Sequence, residues 1–202
     1  MASASRRAAS ARAEPGESLR EQLRAATMAA HELLDHAMQA ASGWQTRADY
    51  ARFLSLQHAA RVPLEAWLAD HAPAHLEPPR QTALIASDLA ALGLGLPAAS
   101  HAFAPSDNRD PGAALGAAWV LAGSALGNRH IAKQVERIGG GAWPAAFLGD
   151  AAMMAFWQSL RTRIEQPADP AEAEGATRAA EAVFAHFLGV ADAARTPESL
   201  PA

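Results

Sequence analysis

The stretch from Arg24 to Asp35 constrains the fold of this chain most strongly, because its residues favour an α-helix over any other structure. It is rich in Ala and Leu and contains neither Gly nor Pro. At 100° per residue, one narrow face of this helix carries Arg24, Thr27, His31, Asp35 and Met38. The adjoining face carries residues typical of a core, namely Leu19, Leu23, Ala26, Ala30, Leu33 and Leu34. We therefore predict that one side of the helix packs in the protein and that the adjoining side faces something other than apolar core.

The rest of the chain also predicts helices, and the alternating runs typical of strands are almost absent. Because 202 residues are most simply one domain, we predict an all-α, single-domain protein. Ser18 with Glu21, and Thr46 with Asp49, have the spacing of capping boxes and predict the starts of the first two helices. The predicted helices cover 18–41, 46–70, 80–93, 112–138, 143–165 and 171–189.

The predicted helical domain spans residues 18–190, between two tails. Residues 1–17 are rich in Ala, Ser and Arg, and we expect them to be a disordered N-terminal tail. We expect residues 191–202 to form a frayed C-terminal tail. The long segment 95–111, which contains the polar run 106–110, predicts a loop over the surface.

Charge and composition exclude several classes of function. The net charge of −4 and the pI near 6.0 argue against a general nucleic-acid-binding protein. The lack of cysteine excludes disulfides, thiolate nucleophiles and cysteine-ligated metal centres. No apolar run approaches the roughly 18–20 residues of a membrane span. We expect a cytoplasmic protein that acts on neither nucleic acid nor membrane.

Gly123 and Gly127 lie four residues apart inside the predicted fourth helix. Each glycine costs about 1 kcal/mol relative to alanine in a helix interior, so the pair needs an explanation. One explanation is a close crossing with another helix, and the other is a backbone laid against a flat ligand. His31 likewise has two interpretations, as a hydrogen-bonded structural residue or as a ligand-binding residue.

Two motifs resemble those of the heme oxygenases. Leu23-Arg24-x-x-Thr27-x-x-x-His31 is similar to the opening helix of that family. Trp119-Val120-Leu121-x-Gly123-Ser124-x-Leu126-Gly127 resembles the distal helix of its bacterial branch, which includes enzymes encoded beside bacteriophytochromes. Shorter similarities are Tyr50-x-x-Phe53-Leu54, Pro63-Leu64-Glu65 and Asp88-Leu89-x-x-Leu92-Gly93. The resemblance spans roughly residues 18–190.

The resemblance implies a multihelical fold in which heme lies between a proximal and a distal helix. It implies that His31 is the iron ligand, with Asp35 as a partner for the second ring nitrogen. The other residues expected to contact heme are Arg24, Thr27 and Arg161. The resemblance assigns the distal, catalytic surface to Gly123, Ser124, Gly127 and Asn128, and Arg80 is an additional candidate for its water network.

The implied activity is the cleavage of heme to biliverdin, Fe²⁺ and CO, with O₂ and an external electron donor. The implied donor is a ferredoxin or flavoprotein reductase, and a bacteriophytochrome is the implied acceptor of biliverdin. Ala125 and Asn128 depart from the family pattern, and His130 either turns outward or becomes a second iron ligand. These departures leave open a non-enzymatic heme carrier or sensor on the same fold. A third possibility is a relative that binds no heme, such as a thiamin-degrading-type enzyme, and the absence of cysteine counts against it.

Overall fold

The computed structural model describes residues 16–105 and 110–195. These ranges contain six α-helices and a short 3-10 helix, and they contain no β-strand, so the predicted all-α class is confirmed. The helices are α1 (Leu19–Ala41), α2 (Arg47–His71), the 3-10 helix (Ala74–Leu76), α3 (Thr82–Ala91), α4 (Ala113–Gly139), α5 (Ala151–Ile164) and α6 (Pro170–Arg195). The predicted tails within 1–15 and 196–202, and residues 106–109 of the predicted loop, lie outside the described residues.

The starts of α1 and α2 follow from local side-chain chemistry. Ser18 Oγ accepts a hydrogen bond from the backbone N–H of Glu21, whose carboxylate accepts one from Ser18 N at 3.0 Å. Thr46 and Asp49 make the same reciprocal pair at the start of α2. Each pair satisfies N–H groups that a helix terminus leaves unbonded. Both predicted capping boxes are therefore present.

The start of α5 is the largest error of the sequence prediction. The fifth helix was expected from residue 143, but it begins at Ala151. Asp88 of α3 accepts hydrogen bonds from Ala146 N and Phe147 N, both at 3.0 Å, and Tyr50 Oη donates to Pro144 O at 2.8 Å. These distant partners hold the segment before α5 in a non-helical conformation.

The sixth helix, α6, extends to Arg195, beyond its predicted end at residue 189.

Glycines let α4 and α6 approach each other closely. A Cβ atom on Gly116 would come within 1.9 Å of Ala176 O, and one on Gly175 within 1.9 Å of Pro111 O. No other residue type fits at such a crossing, because the neighbouring atoms are backbone. The α4–α6 pair forms the centre of the molecule, and both of its apolar clusters contain residues of these two helices.

The two ends of α1 are anchored in different apolar clusters. Leu19 and Leu23 pack with α4, α5 and α6, whereas Ala37, Met38 and Ala41 pack with α2, α3, α4 and α6. Between these ends, α1 packs mainly on α6. The middle of α1, which contains His31, is therefore covered on one side only.

Pro63 lies inside α2 and anchors part of the long predicted loop. Proline has no N–H group, so the carbonyl of Ala59 lacks its helical partner. Ser100 supplies one, since its N and Oγ donate to Ala59 O at 3.1 and 3.0 Å. His186 Nε2 donates to the next carbonyl, that of Ala60, at 3.0 Å. This part of the loop is thus tied to α2 rather than lying free over the surface.

Candidate functional site

His31 stands on the exposed side of α1, next to the carboxylate of Asp35. Its side chain is 61% exposed, and its Nδ1 lies 3.2 Å from Oδ2 of Asp35, which is 68% exposed. Because Nδ1 faces the carboxylate, Nε2 is the nitrogen left available to a metal. The ring also meets Phe184 of α6 edge-on, with 5.9 Å between centroids. The expected His31–Asp35 contact is present, and its role toward iron stays a prediction.

The rest of the predicted ligand-facing stripe on α1 is only partly exposed. Arg24 is exposed two turns before His31, roughly 10 Å along the helix axis. Thr27, however, is only 2% exposed, and its hydroxyl donates to Leu23 O at 2.7 Å, so this hydroxyl is already bonded. Met38 is buried in the core. The stripe that remains open consists of Arg24, His31 and Asp35.

Two residues predicted to pack in the core are instead at the surface. Leu33 is 59% exposed, and Ala26 is exposed as well. The expectation that both lie in the core is wrong, because α6 covers less of α1 than the periodicity alone suggests. The side of α1 that α6 covers is therefore narrower than the sequence pattern predicts.

The glycine pair of α4 does not mediate a helix crossing. A Cβ atom on Gly127 would meet nothing within 4 Å, and one on Gly123 would meet only Trp157 at 3.8 Å. The close α4–α6 crossing uses Gly112 and Gly116 instead. Gly123 and Gly127 thus leave bare backbone on an open surface, which we call the glycine face.

Ser124 and Asn128 lie beside the glycine face and point toward the interior. Ser124 Oγ donates to Leu121 O at 2.7 Å and accepts from Nη2 of Arg61 at 2.9 Å. Asn128 is buried, and its Nδ2 has no hydrogen-bond partner. Of these two residues, Ser124 therefore contacts a cation of α2, Arg61, that was not predicted from the sequence.

Arg61 is the main functional candidate that the sequence analysis missed. Its side chain is 1% exposed, and it lies on the same stripe of α2 as the fully buried Leu54 and Leu68. A charged residue on a stripe of buried leucines was the available signal. Burial lowers the pKa of Arg61 to about 10, although Glu65 and Asp150 act in the opposite direction.

The surroundings of the Arg61 guanidinium are partly aromatic. The guanidinium carbon lies 5.0 Å from the ring centroid of Phe147 and 5.9 Å from that of Phe187. Its Nε donates to Gln57 Oε1 at 3.2 Å, and its Nη1 is buried without a partner. The aromatic faces stabilise the cation but do not neutralise its charge.

The two other predicted arginines are engaged elsewhere. Arg161 donates to Oε1 of Glu165 through Nε at 2.9 Å and Nη2 at 2.6 Å. Arg80 lies 4.0 Å from Glu77 and is largely exposed. Within the described residues, neither makes a hydrogen bond to Ser124 or Asn128, whereas Arg61 bonds to Ser124.

His130 is exposed, and its ring bonds to a side chain one turn further along α4. The Nε2 atom of the Gln134 amide donates to His130 Nε2 at 2.6 Å, and Trp44 Nε1 donates to Gln134 Oε1 at 2.6 Å.

The described residues form two separate groups of candidates. His31 and Asp35 lie together on α1, and Ser124 bonds to Arg61 across α4 and α2, but no hydrogen bond or ion pair in 16–105 and 110–195 joins the two groups. These ranges contain no set of three or more His, Cys, Asp or Glu side chains that could hold a metal. Among the described residues, the predicted binding of iron therefore depends on His31 as a single protein ligand. No helix in the same ranges is long and apolar enough to cross a membrane.

Comparison with solved structures identifies a similar fold. The heme oxygenase from Neisseria meningitidis, determined with NO and CO bound, superposes with a TM-score of 0.67 at 20% identity, covering 90% of this chain and 95% of that one. The chain therefore has the fold of a heme oxygenase, as its motifs indicated. No protein-family model matches the sequence, and no curated protein does either.

Proposed function

We propose that this chain is a heme oxygenase, which binds heme as cofactor and substrate and cleaves it to biliverdin, Fe²⁺ and CO. The glycine face carries this proposal. Gly123 and Gly127 reduce the stability of α4, yet no neighbouring helix requires them. A flat ligand laid on the backbone explains both, and the similarity in fold to a heme oxygenase suggests heme as that ligand.

The residues on α1 fit the binding of heme. His31 would bind the iron through Nε2, and Asp35 would fix the ring and raise the basicity of that nitrogen. Arg24, exposed on the same side of α1, would pair with a propionate. Arg161 would serve a second propionate only by giving up its ion pair with Glu165. Thr27 would contribute by packing, since its hydroxyl is already bonded within α1.

When bound, heme supplies the O₂ binding and the oxidising chemistry. Gly123 and Gly127 place no side chain of their own on the adjacent surface. Ser124 would hold water there, because its hydroxyl is oriented by Arg61 and by the carbonyl of Leu121. Proton delivery would thus depend on ordered water rather than on a strong acid next to the heme.

The proposed activity also requires partners. A ferredoxin or flavoprotein reductase would supply the electrons, and a bacteriophytochrome is our proposed acceptor of biliverdin. We propose a cytoplasmic location for the same reaction, where these donors are available.

One observation favours a second function, that of a non-enzymatic heme carrier or sensor. Asn128, assigned to the distal surface by its place in the motif, is buried and points away from the glycine face. Ser124 is then the only predicted polar side chain beside the glycines. A water network with so few fixed members would favour holding heme over cleaving it.

A spectroscopic experiment distinguishes these functions. Hemin is added to the purified full chain, followed by a reductant under air. A Soret band that decays while biliverdin and CO appear supports the proposed oxygenase. A shifted Soret band that persists under these conditions indicates the carrier or sensor, and a spectrum identical to that of free hemin contradicts both.

The assignment of the iron ligand is tested by His31→Ala. We expect this variant to lose the axial imidazole, seen as a changed Soret maximum and a changed electron paramagnetic resonance spectrum of the ferric form. His36→Ala is the matched control, because His36 is also exposed on α1 but its Nδ1 bonds to Glu32 O at 2.7 Å. Identical spectra for the wild type and His31→Ala would show that another residue binds the iron.

A further inference from the structure

The segment 97–105, which we call the strap, is tied to the turn of α2 that precedes Pro63. Ser100 donates from its N and Oγ to Ala59 O, and the same Oγ lies 3.3 Å from Nε2 of His186. Phe103 is buried, and its ring meets that of His186 edge-on with 5.5 Å between centroids. The strap is therefore attached to α2 and to α6 at one place.

Two histidines meet at this attachment. His186 of α6 is only 5% exposed, and its Nε2 donates to Ala60 O at 3.0 Å. The exposed ring of His101, on the strap, has its centroid 5.1 Å from that of His186. Because a like charge at this range opposes ionisation, both rings cannot be protonated without weakening the attachment.

The surrounding helices provide no acid that would offset these charges. Within the described residues, no carboxylate oxygen lies within 4.0 Å of a ring nitrogen of either histidine. The ionisable side chains that α2 buries are Tyr50, His58, Arg61 and Glu65. Of these, Glu65 is the acid, and it accepts a hydrogen bond from the hydroxyl of Thr82 at 2.7 Å. The helices α1 and α4, both fully described, also pack on α6 and bury no ionisable side chain.

We propose that His101 and His186 form a pH-sensitive latch, which holds the strap on α2 while both rings are neutral and releases it when they are protonated. Burial and the neighbouring His101 lower the pKa of His186, although its bond to Ala60 acts in the opposite direction. The attached state therefore binds fewer protons than the released state, in which the ring of His186 is hydrated. A fall in pH below about 6.5 then favours release. The latch requires no heme and stands independently of the proposed oxygenase activity.

The latch acts on a turn of α2 that leads toward the glycine face. Arg61 directly follows Ala60 in the chain, and its Nη2 donates to Ser124 beside that face. The strap supplies the donors for the carbonyl of Ala59, which Pro63 leaves without its helical partner. The strap therefore stabilises the turn from which Arg61 extends, and its release would remove that support.

Amide hydrogen exchange of the full, heme-free chain tests the latch, because the N–H of Ser100 bonds to Ala59 O only while the strap is attached. Its protection factor, corrected for the intrinsic exchange rate, is compared at pH 7.5 and pH 5.5. We expect it to fall about tenfold, as for one histidine that is protonated on release. The amide of Leu121, in the core part of α4, should remain more protected than that of Ser100 at pH 5.5, because the strap opens without unfolding the core.

Two variants assign the effect to the latch. His186→Gln keeps an N–H donor for Ala60 O but cannot be protonated near neutral pH, so Ser100 should retain its protection at pH 5.5. His101→Gln changes an exposed residue and removes the second charge, so it should reduce the fall in protection, and it serves as the test if His186→Gln fails to fold. His75→Gln is the control, because His75 is exposed on the 3-10 helix, and it should show the wild-type fall.

Three results would overturn the proposal. The first is a protection factor of Ser100 in the wild type that does not change between pH 7.5 and 5.5. The second is a full, tenfold fall that persists in His186→Gln or in His101→Gln. The third is equal protection of Ser100 and Leu121 at pH 5.5, which would show that the whole domain unfolds and that the strap is not released by itself.

Discussion

Replacing Gly127 by alanine should stabilise the protein and weaken heme binding at the same time. A Cβ atom at this position meets nothing within 4 Å, so the heme-free protein can accept it without strain. Alanine in a helix interior is more stable than glycine by about 0.5–1 kcal/mol. For a chain of this size, 1 kcal/mol corresponds to about 2–4 °C in the melting temperature.

The same methyl group should oppose a ligand that lies on the backbone. Forcing an extra methyl group into a filled contact costs about 1–3 kcal/mol, which corresponds to a loss of hemin affinity of about 5- to 150-fold. Gly189→Ala is the matched control, because Gly189 lies in the interior of α6 and its added Cβ also meets nothing within 4 Å. It should give the same gain in stability and leave hemin affinity unchanged.

Urea denaturation of the heme-free variants and hemin titration followed at the Soret band measure the two effects separately. A destabilised Gly127→Ala would show that the space beside Gly127 is not open. A stabilised Gly127→Ala with normal hemin affinity would refute our explanation of the glycine pair. We expect Gly127→Ala to lose hemin affinity whether the protein is a heme carrier or a heme oxygenase, because both functions place heme against Gly127. This test therefore addresses heme binding rather than turnover.

Three further predictions concern stability. Gly116→Ala should lower the free energy of unfolding by about 2–3 kcal/mol in urea denaturation, since its Cβ would come within 1.9 Å of a backbone oxygen of α6. Asp88→Ala should cost about 2–3 kcal/mol and speed hydrogen exchange before α5, because one buried and one part-buried N–H group lose their acceptor. Burial lowers the pKa of His58 and His186, so the unfolded chain binds more protons, and stability should fall as pH drops below about 6.5. In urea denaturation over a pH series, the free energy of unfolding should depend less steeply on pH in the double variant His58→Gln/His186→Gln than in the wild type. An equally steep dependence in the double variant would contradict this prediction.

The fold was predictable where its causes are local. The starts of α1 and α2 depend on side chains three residues apart, and both were found from spacing alone. The start of α5 was missed because Asp88 lies 58 residues before the N–H group of Ala146 that it binds. A sequence pattern within one helix contains no information about such a partner.

In the candidate site, too, contacts within one helix were predictable and contacts between distant residues were not. The contact between His31 and Asp35 follows from a helical turn, whereas the contact of Arg61 with Ser124 joins residues 63 positions apart. Exposure was also misjudged, since Leu33 has the residue type of a core position but lies where α6 does not reach.

By itself, the sequence determined the helices, their capping residues, the imidazole with its carboxylate, and the presence of glycines in the middle of α4. It did not determine which glycines serve packing. Gly116 and Gly127 are both small residues in one helix, and only the position of α6 distinguishes them, because its backbone lies against Gly116 and leaves Gly127 open. The tertiary structure likewise buried Arg61 against Ser124 of α4. The reason is physical: capping and i,i+4 contacts act within one or two turns, whereas burial and open space depend on where other helices pack.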